Sequence, residues 1–195
     1  MIAKSIKGKS TSAIQLALEQ SMTDGFKPTL AICFISKSMD RNAISNLLDA
    51  VGISVFGCTT NGEFIDEETD KESAAILLLD MKKEYFHIYF HEFSEPNYRE
   101  AAQEIAKKAK EKFAVPAFFI GLSHHETDGE EVLRGLEDIV GKEVNAFGGG
   151  AGDDYAFKET VVFANGKDSN KAIVCIAIDE TKITVEGITT CGWKA

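Results

Sequence analysis

The stretch AFGGGAGDDY, residues 146–155, carries an apolar start through Phe147-Gly148 into a loop of four glycines and two carboxylates. Far upstream, VFGCTTNGEF, residues 55–64, makes the same transition: an apolar run reaches Phe56-Gly57, small residues follow, then an acid and an aromatic. Glycine lets the backbone adopt φ > 0 and lets other groups approach it closely, at an entropic cost of roughly 0.5–1 kcal/mol per site. A chain that bears this cost twice, in matching contexts, reads as a repeat.

Working outward, helices and strands interleave. Ile14, Ala17, Leu18 and Met22 share a helical face behind the candidate caps Ser10 to Ser12, and Ile44, Leu47, Leu48 and Val51 repeat the pattern up to Gly52. Tyr98, Ala102, Ile105, Ala109 and Phe113 line a third helix behind Pro96. Val132, Leu133, Leu136, Ile139 and Val140 line a fourth, opened by the capping box Thr127-x-x-Glu130 and closed by Gly141. Runs rich in β-branched and aromatic residues fall at 29–36, 53–57, 73–80, 85–93, 117–123, 144–148, 160–165, 172–179 and 182–190. Two of them, AILLL (75–79) and AIVC (172–175), are unbroken apolar stretches, as strands covered on both faces require.

Set side by side, the halves match. Residues 30–35 correspond to 117–122 and Phe56 to Phe147, and each half reads helix, strand, helix, strand, glycine-and-acid loop, hairpins. The expected fold is α/β: an internally duplicated mixed β-sheet assembly covered by helices, with two αβαβββ-type halves, residues 10–92 and 97–190, related by a pseudo-two-fold axis in a single domain over 1–195.

Composition narrows the function classes. With 195 residues and 44% hydrophobic content, the chain can bury a sizeable core. Cys33, Cys58, Cys175 and Cys191 form no C-x-x-C pair, so neither a zinc cluster nor a disulfide framework is indicated. The N-terminus MIAKSIKGKS lacks the apolar segment of a signal peptide, and the run 114–122 is too short to span a bilayer. A reducing, cytoplasmic setting is expected. A net charge of −10 has the wrong sign for nucleic acid or anionic lipid, so neither is expected as a partner.

The order and spacing of GCTTNGEF (57–64), GGGAGDD (148–154), TVVFANG (160–166) and the closing GITTCGW (187–193) resemble the N-terminal domain of the FIST family of bacterial sensory proteins. The resemblance covers essentially the whole chain. It implies a sensory domain that binds small ligands such as amino acids and signals through a FIST C-terminal domain or another signalling module. It supplies no catalytic residues. Because the sequence stops just after Gly192-Trp193, that C-terminal domain is expected to be absent from this chain.

Loop chemistry points the same way. A glycine run can aim several N–H groups at a carboxylate or phosphate. Phosphate is disfavoured by Asp153 and Asp154, and no G-x-x-x-x-G-K-[ST] is present, so no nucleotide cofactor is expected. A zwitterion fits both features, with its carboxylate on loop N–H groups or on the Thr59 and Thr60 hydroxyls and its ammonium against Glu63, Asp153 or Asp154. The candidate ligand-binding residues are therefore Cys58, Thr59, Thr60, Glu63, Gly149, Gly150, Asp153 and Asp154. The plainer reading is that the glycines permit tight packing and the acids cap turns. Two further readings remain: an enzyme using Cys58 with His124 or His125, and an interaction domain with no ligand. No metal is expected at His124-His125-Glu126 with Asp128, which reads as a polar turn, nor at His87 and His91 on a strand.

Overall fold

Side-chain caps set the helix starts in the computed structural model, which describes residues 1–65, 68–123 and 126–187. Ser10 Oγ accepts the Ala13 N–H ahead of α1 (Thr11–Ser21), and Asp40 Oδ1 accepts the Ala43 N–H ahead of α2 (Arg41–Asp49). After α3 (Tyr98–Lys112), the helix α4 (Gly129–Val140) starts one residue later than the expected capping box. Asp128 is the cap, accepting from both Glu130 and Glu131, while the Thr127 hydroxyl donates to the Ser123 carbonyl. One carboxylate here serves two of the N–H groups that a helix start leaves without partners.

The strands form two stacked mixed sheets. In the first, β1 (Ala3–Gly8), β6 (Ala74–Leu79), β2 (Leu30–Ser36) and β3 (Ser54–Thr60) lie in that spatial order; the first two junctions are antiparallel and β2–β3 is parallel. In the second, β7 (Phe86–Glu92), β12 (Ala172–Asp179), β8 (Pro116–Leu122) and β9 (Ala146–Gly150) repeat that order and those senses. Ile32 stands opposite Phe56 in one parallel pair, and Phe119 opposite Phe147 in the other. The hairpin β10 (Val162–Ala164) and β11 (Lys167–Ser169) crosses over: β10 pairs antiparallel with β3 and extends the first sheet to six strands. A separate hairpin, β4 (Glu63–Ile65) and β5 (Glu68–Asp70), is tied to β1 by the ion pair Lys7–Glu68 and to the residue after it by Lys9–Asp70.

Three apolar layers hold this together. Ile14, Leu18, Ile44 and Leu48 of α1 and α2 pack on Cys33, Ile35 and Val55 of the first sheet. Ala102, Ile105, Val132 and Leu136 of α3 and α4 pack on Phe118, Ile120 and Cys175 of the second. Between the sheets, Leu30, Phe56 and Val162 face Val174, Ile176 and Phe86, and the Phe56 and Phe119 rings meet at 5.1 Å. The result is a four-layer helix, sheet, sheet, helix stack, with β12 buried on both faces as its unbroken apolar run requires.

Three placements differ from the sequence reading. β1 is an edge strand with Ile6 as its buried residue, too weak an alternation to stand out. The run 85–93, grouped with the first half, supplies β7 to the second sheet, because its partner is β12. Residues 181–187 form no strand; Ile183 and Val185 pack into the inter-sheet layer, and the remainder of the run 182–190 lies outside the described residues. Among the described residues no helix is long and apolar enough to cross a membrane.

α3 and α4 approach so closely that a Cβ at Gly135 would stand 2.4 Å from the Arg99 carbonyl oxygen and 2.7 Å from Ala102 Cβ. Alanine there gains about 1 kcal/mol of helix propensity. Overpacking against a backbone atom costs about 1–3 kcal/mol, so Gly135→Ala is expected to be net destabilising in urea unfolding. The same helices are clipped by Asp138, which accepts from Arg99 Nε (2.7 Å), Arg99 Nη2 (2.9 Å) and Gln103 Nε2 (2.8 Å). The Arg99 guanidinium, helped by Gln103, holds the Asp138 carboxyl at about 2, below its ordinary 3.8. A depressed folded-state value stabilises the fold above the unfolded value, and that stability is lost as pH falls from about 4 towards 2. Asp138→Asn should flatten this part of the acid unfolding curve and leave the neutral-pH shape unchanged.

Candidate functional site

The two glycine-and-acid loops meet. Beyond β3, the chain turns through Asn61 and Gly62; beyond β9 it runs through Ala151 and Gly152 alongside that turn. Gly152 N–H donates to the Thr59 carbonyl (2.7 Å), Asp154 N–H to the Thr60 carbonyl (3.3 Å) and Asp153 N–H to Asn61 Oδ1 (2.9 Å). Gly152 is obligatory here, since a Cβ would lie 2.5 Å from Asn61 Oδ1 and 2.8 Å from Asn61 N. Asn61 was not among the candidates; its Oδ1 also accepts from Tyr155 N–H at 3.2 Å, making it the post on which the second loop turns.

Where the loops join, the sheets open into a cleft of about 390 Å³. Phe56, Phe119 and Cys58 form its floor, Thr59 to Asn61 one wall, and Gly148 to Gly150 the other. A neighbouring hollow of about 490 Å³ shares Phe34 and Thr60 with it and is bounded by Gly62, Glu63 and Phe64. Thr60 and the glycines 149 and 150 are thus brought together. Glu63 lies one step behind, and Asp153 lies outside the cleft wall.

Hydrogen-bond partners decide what each group can offer. Thr59 is fully buried, donating its hydroxyl to the Val161 carbonyl and accepting the Val161 N–H, so it staples β3 to the strand that extends it. The Thr60 hydroxyl donates to Glu63 Oε1 at 2.5 Å, while Glu63 Oε2 accepts from the Ser73 hydroxyl (2.8 Å) and N–H (3.3 Å). A hydroxyl has one proton. With that proton directed to Glu63, Thr60 presents lone pairs to the cleft and acts there as an acceptor, backed by a carboxylate that is 2% exposed. Asp153 accepts N–H bonds from Lys158, Glu159 and Phe157, which hold its carboxyl below the ordinary range. It braces a loop in which Asp154, Tyr155 and Phe157 all adopt left-handed φ. Asp154 is exposed and accepts from the Ser36 hydroxyl at 3.2 Å.

The FIST N domain family model matches residues 29–195, from just before β2 onward. The chain belongs to the FIST family. Among curated proteins, none matches it. FIST domains are sensory, signal-transduction domains, and in this FIST N domain both loops of the cleft fall inside the matched region, whereas β1 and α1 precede it.

Cys58 in this FIST N domain is a packed thiol. Its Sγ sits so close to the opposite sheet that a Cβ at Gly121 would stand 2.4 Å away, and burial pushes the thiol up to about 12. Cys33 and Cys175 are buried and pushed up likewise. The thiolate is the nucleophilic form, so Cys58 at neutral pH is a small apolar group with a weak donor. His124 and His125, its suggested partners, lie outside the described residues, as do Cys191 and Trp193. His87 packs edge-on against Tyr89 on the edge strand β7, and His91 Nδ1 lies 3.7 Å from Glu104. In a Cys191→Ser background, the remaining thiols should react with a disulfide reagent only as fast as the protein unfolds. Rapid labelling of Cys58 in the native state would revive a nucleophilic role.

Proposed function

We propose that this chain is a cytoplasmic sensory domain that binds a small amino-acid-like zwitterion in the cleft between its two glycine-and-acid loops and passes occupancy to a FIST C-terminal domain or another signalling module. The observation that carries this reading is the junction itself. Loops from the two sheets, joined by the Gly152–Thr59 and Asp154–Thr60 backbone bonds, wall a single apolar-floored cleft that offers donors on one side and an acceptor on the other. Pockets of this kind, mostly apolar with a few convergent polar groups, are the usual form of small-ligand sites.

In this reading the ligand's carboxylate takes N–H groups of the glycine strand, and its ammonium donates to Thr60 Oγ1, with the Glu63 carboxylate supplying the charge behind it. Asp154, exposed and bonded to Ser36 outside the cleft lining, adds negative charge nearby, and Cys58 gives apolar contact at the floor. Thr59 and Asp153 contribute through the positions they hold. An enzymatic use of Cys58 is the weaker alternative, because its buried, protonated thiol is not prepared for attack.

A thermal-shift screen of amino acids and related zwitterions is the direct test. A ligand at one hundred times its dissociation constant stabilises the native state by about 2.7 kcal/mol. Thr60→Val is expected to weaken the hit by about tenfold or more, since a buried ammonium would lose its acceptor. Cys58→Ser should change affinity far less. Binding that is indifferent to Thr60→Val would remove the cleft from the reading, and a screen with no stabilising zwitterion would remove the ligand class.

A further inference from the structure

The inner face of the first sheet is only partly covered. On β3 the inward Phe56 is fully buried, but on β2 the inward Ile32 is half-buried and Phe34 is 37% exposed, and on β6 the inward Leu77 is half-buried. Contiguous apolar surface of this kind marks a ligand groove or an interaction site. Here it forms the hollow of about 490 Å³ beside the cleft, walled by Phe34 of β2, Ala75 and Leu77 of β6, Ser5 of β1, and Phe64 and Ile65 of β4. Phe147, the ring against which the run ending at Gly187 stands, is not among its walls.

One charge faces this apolar space. Glu63 accepts from the Thr60 hydroxyl on Oε1 and from the Ser73 hydroxyl and N–H on Oε2, which leaves Oε1 with unused acceptor capacity. Among the described residues it forms no ion pair. A carboxylate this deeply buried is satisfied in hydrogen bonds but still lacks a counter-charge. Thr60 belongs to both the hollow and the cleft, so an ammonium on its Oγ1 stands at the point where the two spaces join. An α-amino acid held there, with its carboxylate on the glycine strand, has one large substituent left to place. The hollow is the adjoining space, and its walls are apolar apart from Ser5, Thr60 and Glu63.

We infer that this hollow takes the ligand's side chain, so that the domain selects α-amino acids with large apolar side chains, such as leucine, methionine or phenylalanine, over glycine, alanine and acidic amino acids. The inference rests on the small-ligand reading of the cleft and adds to it the side-chain class and the residues that choose it. Ala75 is the selecting position, because it lines the hollow with the smallest of the apolar side chains there. An acidic side chain would meet the Glu63 carboxylate and be repelled.

Calorimetric titration of glycine, alanine, leucine, phenylalanine and aspartate into the full chain is the test. Leucine and phenylalanine should bind about tenfold or more tighter than alanine, as added carbons in an apolar pocket do, and aspartate should bind more weakly than alanine. Ala75→Leu, which occupies the hollow, should weaken leucine by about tenfold and leave alanine nearly unchanged. Phe64→Ser spares the core, since Phe64 is 75% exposed, and should also reduce the preference for leucine without moving alanine. A folding defect would instead weaken both ligands together. The outcomes separate cleanly. If no zwitterion binds, or if binding is indifferent to Thr60→Val, the small-ligand reading falls and the side-chain assignment falls with it. If zwitterions bind through Thr60 but alanine binds as tightly as leucine, or leucine is indifferent to both Ala75→Leu and Phe64→Ser, the cleft stands and the side-chain assignment alone is overturned.

Discussion

The two sheets must approach closely enough to share one layer of side chains, and the rest of the architecture follows from that contact. Phe56 and Phe119 meet across it, and Gly121 leaves room for the Cys58 sulfur. Each large side chain buried there contributes about 1.5–3 kcal/mol relative to exposure. With both inner faces occupied by one another, each sheet needs a helix pair outside, which α1 with α2 and α3 with α4 supply. The cleft lies where this contact layer ends, at the carboxyl ends of β3 and β9, and its floor is the last part of the inter-sheet core. That origin also accounts for the raised Cys58 thiol: the packing that positions it removes its sulfur from solvent.

Hydrogen-bond stoichiometry then separates residues that hold the cleft from residues that face it. Thr59 and Thr60 are neighbours of the same chemical type, yet the first is closed on Val161 in both directions and the second retains acceptor capacity beside Glu63. Asp153 and Asp154 diverge in the same way. One ties down three successive backbone N–H groups and the other remains at the surface with Ser36. For Thr59 and Thr60, alternation along β3 sends the neighbours to opposite sides, and between Asp153 and Asp154 the left-handed φ of Asp154 turns the chain.

Much of the fold was legible because it depends on local pattern. The four helices, the paired Phe-Gly strands and the doubly buried run at 172–175 follow from periodicity and composition. The loops that form the cleft were recognisable as well, since glycine and acids stand out in sequence. What could not be read depends on contacts distant in sequence. β1 has a faint pattern and is a strand because β6 provides a ladder; β7 goes to the second sheet because β12 lies there. The roles of Asp153 and Thr59 turn on which N–H groups lie within reach, and Asn61 could be found only once Gly152 was seen against it. The TTNG tetrapeptide signals a turn, but not that a second loop would hang from its asparagine.

The hairpin that crosses between the halves also has a temporal consequence. β3 is complete by Thr60, but its neighbour β10 and the reciprocal Thr59–Val161 bonds lie 102 residues further along the chain. At a synthesis rate of about 5–20 residues per second, the nascent first half waits roughly 5–20 seconds with that edge bare. Its helices and the β1-β6-β2-β3 ladder can form during the interval, but the inter-sheet face, Phe56 included, lacks a complete partner sheet until β12, the strand between β7 and β8, emerges from the ribosome. Long-range pairing of this kind slows folding and exposes apolar surface in the meantime. The first sheet therefore belongs to both ends of the sequence.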